Sequence, residues 1–110
     1  MSARSFDING KMRQGNITVL NDSDVVAVIL HNTTVMMFSR KNNKVILTSG
    51  GWRTPTTKTA INNALRQLES VIGQPMPSVF QKKGEWFLSD GTKFQDGMVF
   101  EVYPLLQELA

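Results

Sequence analysis

The run Val25-Val26-Ala27-Val28-Ile29-Leu30 is apolar at every position, which predicts a strand covered on both faces and therefore central in a sheet. On its N-terminal side, Asn16–Leu20 carries β-forming residues and leads into the turn cluster Asn21-Asp22-Ser23-Asp24, so a hairpin into Val25–His31 is expected. On the other side, Thr34–Ser39 and Lys44–Thr48 flank Arg40-Lys41-Asn42-Asn43, whose asparagines tolerate the left-handed conformations of tight turns. The tip of this second hairpin is basic. The period then changes. Ala60, Ile61, Ala64, Leu65, Leu68, Val71 and Ile72 follow helical spacing and predict one long helix from about Pro55 to Ile72. Thr54 suits the N-cap, Pro55 the first helical position and Gly73 the residue just past the end. Short strands follow at Val79–Gln81, Glu85–Ser89, Lys93–Phe94 and Met98–Tyr103, with Pro104 starting a terminal turn of helix through Leu109. The first 14 residues show no periodicity. The expected organisation is thus a flexible N-terminal arm over 1–15 and a single α+β domain over 16–110. The domain is a mostly antiparallel meander in the order β-β-β-β-α-β-β-β, with the helix packed on one face.

Composition narrows the chemistry. A chain of 110 residues with 41% apolar and 19% charged residues has the balance of a globular domain. Cysteine is absent, which excludes disulfides, thiolate zinc sites and cysteine nucleophiles together. No apolar run approaches the ~18 residues of a membrane span, and no leader-like segment opens the chain, so a soluble cytoplasmic protein without membrane contact is expected. Charge is segregated. From Val25 to Leu68 the chain holds Arg40, Lys41, Lys44, Arg53, Lys58 and Arg66 and no acid, while from Glu69 onward six acids face three lysines. A positive block of this kind attracts polyanions, although lysine and arginine also serve simply to solubilise a surface.

Catalytic sets are hard to assemble. His31 is the single histidine, so neither a multi-histidine metal site nor a histidine–cysteine pair can form. There is no nucleophile elbow, phosphate loop or dinucleotide fingerprint. The acid pairs Asp22/Asp24 and Asp90/Asp96 stand in turn clusters, where aspartate is expected for structural reasons. No enzymatic activity, metal or cofactor is expected. His31 itself reads as a strand-end histidine bonded to backbone. Trp52, beside Gly50 and Gly51, has two fates: core packing over bare backbone, which the glycines favour, or exposure beside Arg53 and Lys58 as a stacking platform for a base. Thr54 is explained by capping. Thr56, Thr57 and Thr59 are not, because β-branched residues weaken a helical turn, and a contact role explains that local cost.

The strand ending Ile29-Leu30-His31-Asn32-Thr33 and the helix start Gly50-Gly51-Trp52-Arg53-Thr54-Pro55-Thr56-Thr57-Lys58, continuing through Leu65, resemble a family of small proteins of tailed bacteriophages. Glu85-Trp86-Phe87-Leu88 and Phe94-Gln95-Asp96-Gly97-Met98 are similar to it as well, and the likeness spans about residues 25–102. The resemblance implies an origin, a phage accessory protein working in the bacterial cytoplasm, and implies no particular activity.

Two function classes follow. The first is a protein that binds DNA or RNA through a basic patch at the helix start, built from Trp52, Arg53, Thr54, Thr56, Thr57 and Lys58, with Arg66, Arg40 and Lys44 brought alongside if the hairpin folds against the helix. The second is a host-takeover or anti-defence protein that binds and blocks a bacterial host protein. A further option, using the same anion site, is a nucleotide or signal-molecule sponge. A homodimer is compatible with each.

Overall fold

The computed structural model describes residues 6–102. Its strands are β1 (Arg13–Gln14), β2 (Ile17–Asn21), β3 (Val25–Leu30), β4 (Thr33–Ser39), β5 (Lys44–Leu47), β6 (Val79–Lys82), β7 (Glu85–Leu88) and β8 (Met98–Glu101), with one helix, α1 (Pro55–Ile72), between β5 and β6. This is an α+β fold. Six strands form a sheet in the order β1-β2-β3-β4-β5-β8, and β6 and β7 pair separately. All pairings are antiparallel. The continuously apolar β3 is interior to the sheet, as its pattern requires, and β8 returns after the helix to pair with β5.

One face of the sheet carries the core. Ile17, Val19, Val26, Val28, Leu30, Met36, Phe38, Val45 and Leu47 pack there against Ala60, Ile61, Ala64, Leu65, Leu68 and Ile72 of α1. The register shifts between Val28 and Ile29, so that Met36 faces Val28 while Thr34 faces Ile29. Val35 is the extra residue of this bulge, which explains why Val35 and Met36 are both fully buried although they are consecutive. The helix ends where capping chemistry sets them. Thr54 accepts from the Thr57 N–H at its start, and Gly73 adopts the left-handed conformation and donates to the Glu69 carbonyl at its end.

Two segments flank α1 on the core face. On one side lie residues 6–9. Phe6 and Ile8 are buried, and the Gln67 amide accepts from the Ile8 N–H and donates to the Phe6 carbonyl. The expectation of a flexible arm through residue 15 is therefore corrected for residues 6–15, since two apolar side chains and a strand pairing of β1 with β2 tie them to the domain; residues 1–5 lie outside the described residues. On the other side lies the β6–β7 hairpin, where Asn62 of α1 donates to the Val79 carbonyl and accepts from the Val79 N–H. Lys93–Phe94 makes a single bridge to Phe87 rather than a strand. β8 ends at Glu101, and the expected terminal turn after Pro104 lies outside the described residues.

Because the helix is held by its apolar stripe, Leu65→Ala is expected to cost about 2–5 kcal/mol. Urea denaturation followed by circular dichroism measures this loss, and a cost below about 1 kcal/mol contradicts the packing.

Candidate binding site at the helix start

The chain between β5 and α1 is fixed by one buried serine. Ser49 is 1% exposed. Its N–H and its hydroxyl both donate to Asp96 Oδ1, each at 2.6 Å, and its hydroxyl accepts from the Gly51 N–H and from Arg53 Nε at 3.0 Å. Arg53 also faces Asp96 Oδ2 at 3.8 Å, and its guanidinium carbon lies 5.2 Å from the Trp86 ring centre and 4.9 Å from that of Phe94. Burial raises the Asp96 pKa, but the Ser49 hydroxyl and N–H, the Arg53 charge and the Thr48 hydroxyl together outweigh it and hold the carboxyl below its ordinary value.

Two glycines then turn the chain toward the helix. Gly50 has φ +63 and sits so close to β4 that a Cβ there would meet Thr33 Cγ2 at 2.6 Å. Gly51 has φ +85 with open space around it. The close approach at Gly50 sets the first turn of α1 beside the end of the sheet where β3 turns into β4. At that turn His31 takes φ 55, and its N–H donates to the Asn16 carbonyl, drawing in the loop between β1 and β2.

A hollow of about 540 Å³ lies where these pieces meet, lined by Asn16, Leu30, His31, Asn32, Thr33, Val35, Ser49, Trp52, Thr54, Thr56 and Thr57. The lining holds amides, hydroxyls, one imidazole and one indole, and no lysine, arginine, aspartate or glutamate. Trp52 is 67% exposed. Core packing over the glycines is therefore corrected to exposure, and Thr33 rather than the indole lies against Gly50. Trp86 is the buried tryptophan, packed edge-on against Phe94.

The first turn of α1 offers little to an anion. Pro55 has no N–H, that of Thr57 is taken by the Thr54 cap, and that of Lys58 donates to the Thr54 carbonyl. Thr57 is buried with its hydroxyl against that of Thr54, so its place in the helix is explained by the cap. Thr56 faces the hollow.

Of the residues expected at the site, the fold gathers Trp52, Thr54, Thr56 and Thr57 and sends the cations elsewhere. Arg40 donates to the Asp22 carbonyl and to Asn21 Oδ1 at the β2–β3 turn. That is the opposite end of β3 from the hollow, a strand length of about 20 Å. Lys44 pairs with Ser39 and Glu101 at that same far end. Arg66 donates to the Met76 and Pro77 carbonyls and pairs with Glu69, anchoring the segment after the helix. Arg53 is engaged with Asp96 and two rings, and Lys58 lies outside the lining. The basic block of the sequence does not converge at the helix start. Asn16, Asn32 and Thr33 were not anticipated. Their only sequence signal is turn chemistry, which does not say which turn meets the helix.

Asp22 accepts from the Asp24 and Val25 N–H groups and Asp90 from that of Thr92, which lowers the pKa of each and gives both a turn-closing role. Among the described residues no cluster of three or more histidines and acids is placed to hold a metal, and no helix is long and apolar enough to cross a membrane.

Among the described residues the fold is a single-helix α+β arrangement with a hollow at the helix start. The chain matches the family model for the Kyanoviridae Gp96 protein over residues 2–101 and belongs to that phage protein family. No curated protein and no solved structure matches it.

Two substitutions separate contact from backbone freedom. Gly50→Ala is expected to cost more stability than Gly51→Ala, which carries only the left-handed penalty of about 1–2 kcal/mol. Equal costs by thermal denaturation contradict the Gly50–Thr33 contact. Asp96→Ala, by leaving Ser49 without its acceptor, is expected to cost about 1–3 kcal/mol at pH 7. Because the folded-state pKa of Asp96 is depressed, its contribution is complete above the unfolded carboxylate range and fades as pH falls through the lowered value. The gap between wild type and variant should narrow in acid, and a gap constant from pH 7 to 2 argues against it.

Proposed function

We propose that this phage protein acts by binding rather than by catalysis, in the cytoplasm of the infected bacterium, and that the hollow at the helix start takes a base of single-stranded nucleic acid. The observation that carries this reading is the exposed indole of Trp52 over an uncharged hydrogen-bonding hollow. An aromatic face of this kind stacks any base, and Asn16, Asn32, His31 and the threonine hydroxyls supply donors and acceptors for a base edge. The charge distribution argues for a contact dominated by stacking, with few phosphates engaged, because Arg40, Arg53 and Arg66 are held by other partners. A free nucleotide or signal molecule is the second reading, favoured by the volume of the hollow, which lies within the range of small-ligand pockets.

Tryptophan fluorescence tests the site directly, since Trp52 is exposed and Trp86 is buried. Titration with short single-stranded oligonucleotides is expected to quench emission, and Trp52→Ala to abolish the quench and weaken binding by about 1–3 kcal/mol. The salt dependence should be shallow, with a log–log slope near ~ −0.7 to −1.4 for one or two phosphates. Mononucleotides that quench as strongly as oligonucleotides support the second reading. No quench by either overturns both.

A further inference from the structure

Among the described residues no layer covers the face of the sheet away from α1, and its pattern is unusual for a surface. In register across β2, β3, β4, β5 and β8 run Leu20, Ala27, Met37, Ile46 and Val99, an unbroken apolar row. Ala27 is buried yet stands outside the core cluster. Leu20 is 36% and Val99 53% exposed, and Met37 and Ile46 are half-buried. On one side the row is bordered by Thr18, Ile29 and Thr34, and on the other by Val25, Ser39, Lys44 and Glu101. Over these five strands Lys44 and Glu101 are therefore the only charges on the face; Arg13 joins them only at the β1 edge. An open antiparallel sheet ordinarily turns a polar face to water. A contiguous apolar patch rimmed by polar residues marks an association surface.

We infer that this face binds the same face of a second copy of the chain, forming a reversible homodimer with the helices outside. Charge and area favour a second, weakly held copy. Lys44 and Glu101 cancel, so the face favours neither a cationic nor an anionic partner and meets no net repulsion from itself. Matching rows of threonine and branched apolar residues pack well in pairs. Five strands at ~4.8 Å spacing and about five residues along each give a face of roughly 400 Å² per copy. Twice that area lies below the standard size of a stable interface, so the association is expected to be weak and reversible. The hollow at the helix start is on the core side of the sheet and stays open in such a dimer, so this inference does not depend on the ligand proposed above.

Sedimentation velocity of the full chain between about 1 and 200 μM tests it. The expected result is a shift from one to two chains across that range. Val99→Lys and Leu20→Lys should each weaken association tenfold or more, with circular dichroism unchanged. Phe80→Lys, an equally exposed apolar site on the β6–β7 hairpin, should leave association as it was. A chain that remains monomeric throughout overturns the inference, as does a dimer that Val99→Lys and Leu20→Lys do not disturb. Self-association that arises only once residues 103–110 are removed overturns it too, by identifying that segment as the occupant of the face.

Discussion

The hydrogen bonds that Ser49 gives to Asp96 hold the arrangement on which the rest of this structure depends. One buried hydroxyl and its own N–H converge on a single carboxylate oxygen that comes from the turn before β8. That carboxylate orients Arg53, and Arg53 lies across Trp86 and Phe94. Three parts of the chain that are remote in sequence are thereby joined: the end of β5, the β6–β7 hairpin and the approach to β8. Charge-assisted bonds to a partly buried carboxylate are among the stronger polar contacts available to a small domain. Here they also decide where the helix begins.

From that fixed point the hollow follows by geometry. Gly50 can take its left-handed conformation against Thr33 because it lacks a side chain, and the helix start is set down next to the β3–β4 turn. Trp52 stands exposed and lines the hollow. The bulge at Val35 keeps both Val35 and Met36 in the core while Thr33 is left at the rim. The site is thus a consequence of how the helix is attached. Its lining is made of amides, hydroxyls, one imidazole and one indole, in contrast to the cationic patch that the charge distribution of the chain predicts.

Much of the fold was legible because it rests on local signals. Thr54, Pro55 and Gly73 mark the helix ends by capping preferences that act within one turn, and the unbroken apolar run of β3 marks an interior strand. The N-terminal segment was not legible: Phe6 and Ile8 are two apolar residues separated by Asp7, too short a pattern to distinguish from a mobile end. The fate of the arginines was hidden for a different reason. Arg40 and Arg66 are satisfied by carbonyl oxygens of Asp22, Met76 and Pro77, and a backbone acceptor has no signature in sequence. Six cations without an acid read as one patch only until the fold distributes them over both ends of a sheet and along a helix. Trp52 was ambiguous on local grounds, and its exposure is seen only in the folded chain. The family match extends the resemblance to phage proteins over nearly the whole chain, residues 2–101.

Ligand contact at the helix start is distinguishable from contact at the basic hairpin tip. Amide chemical-shift mapping of the isotope-labelled chain with a short single-stranded oligonucleotide measures this residue by residue. With the ligand at the proposed site, the largest changes fall at Asn16, His31–Thr33 and Ser49–Thr57, with the Trp52 indole N–H among them. Changes centred on Arg40–Lys44, or none at saturating oligonucleotide, would contradict it.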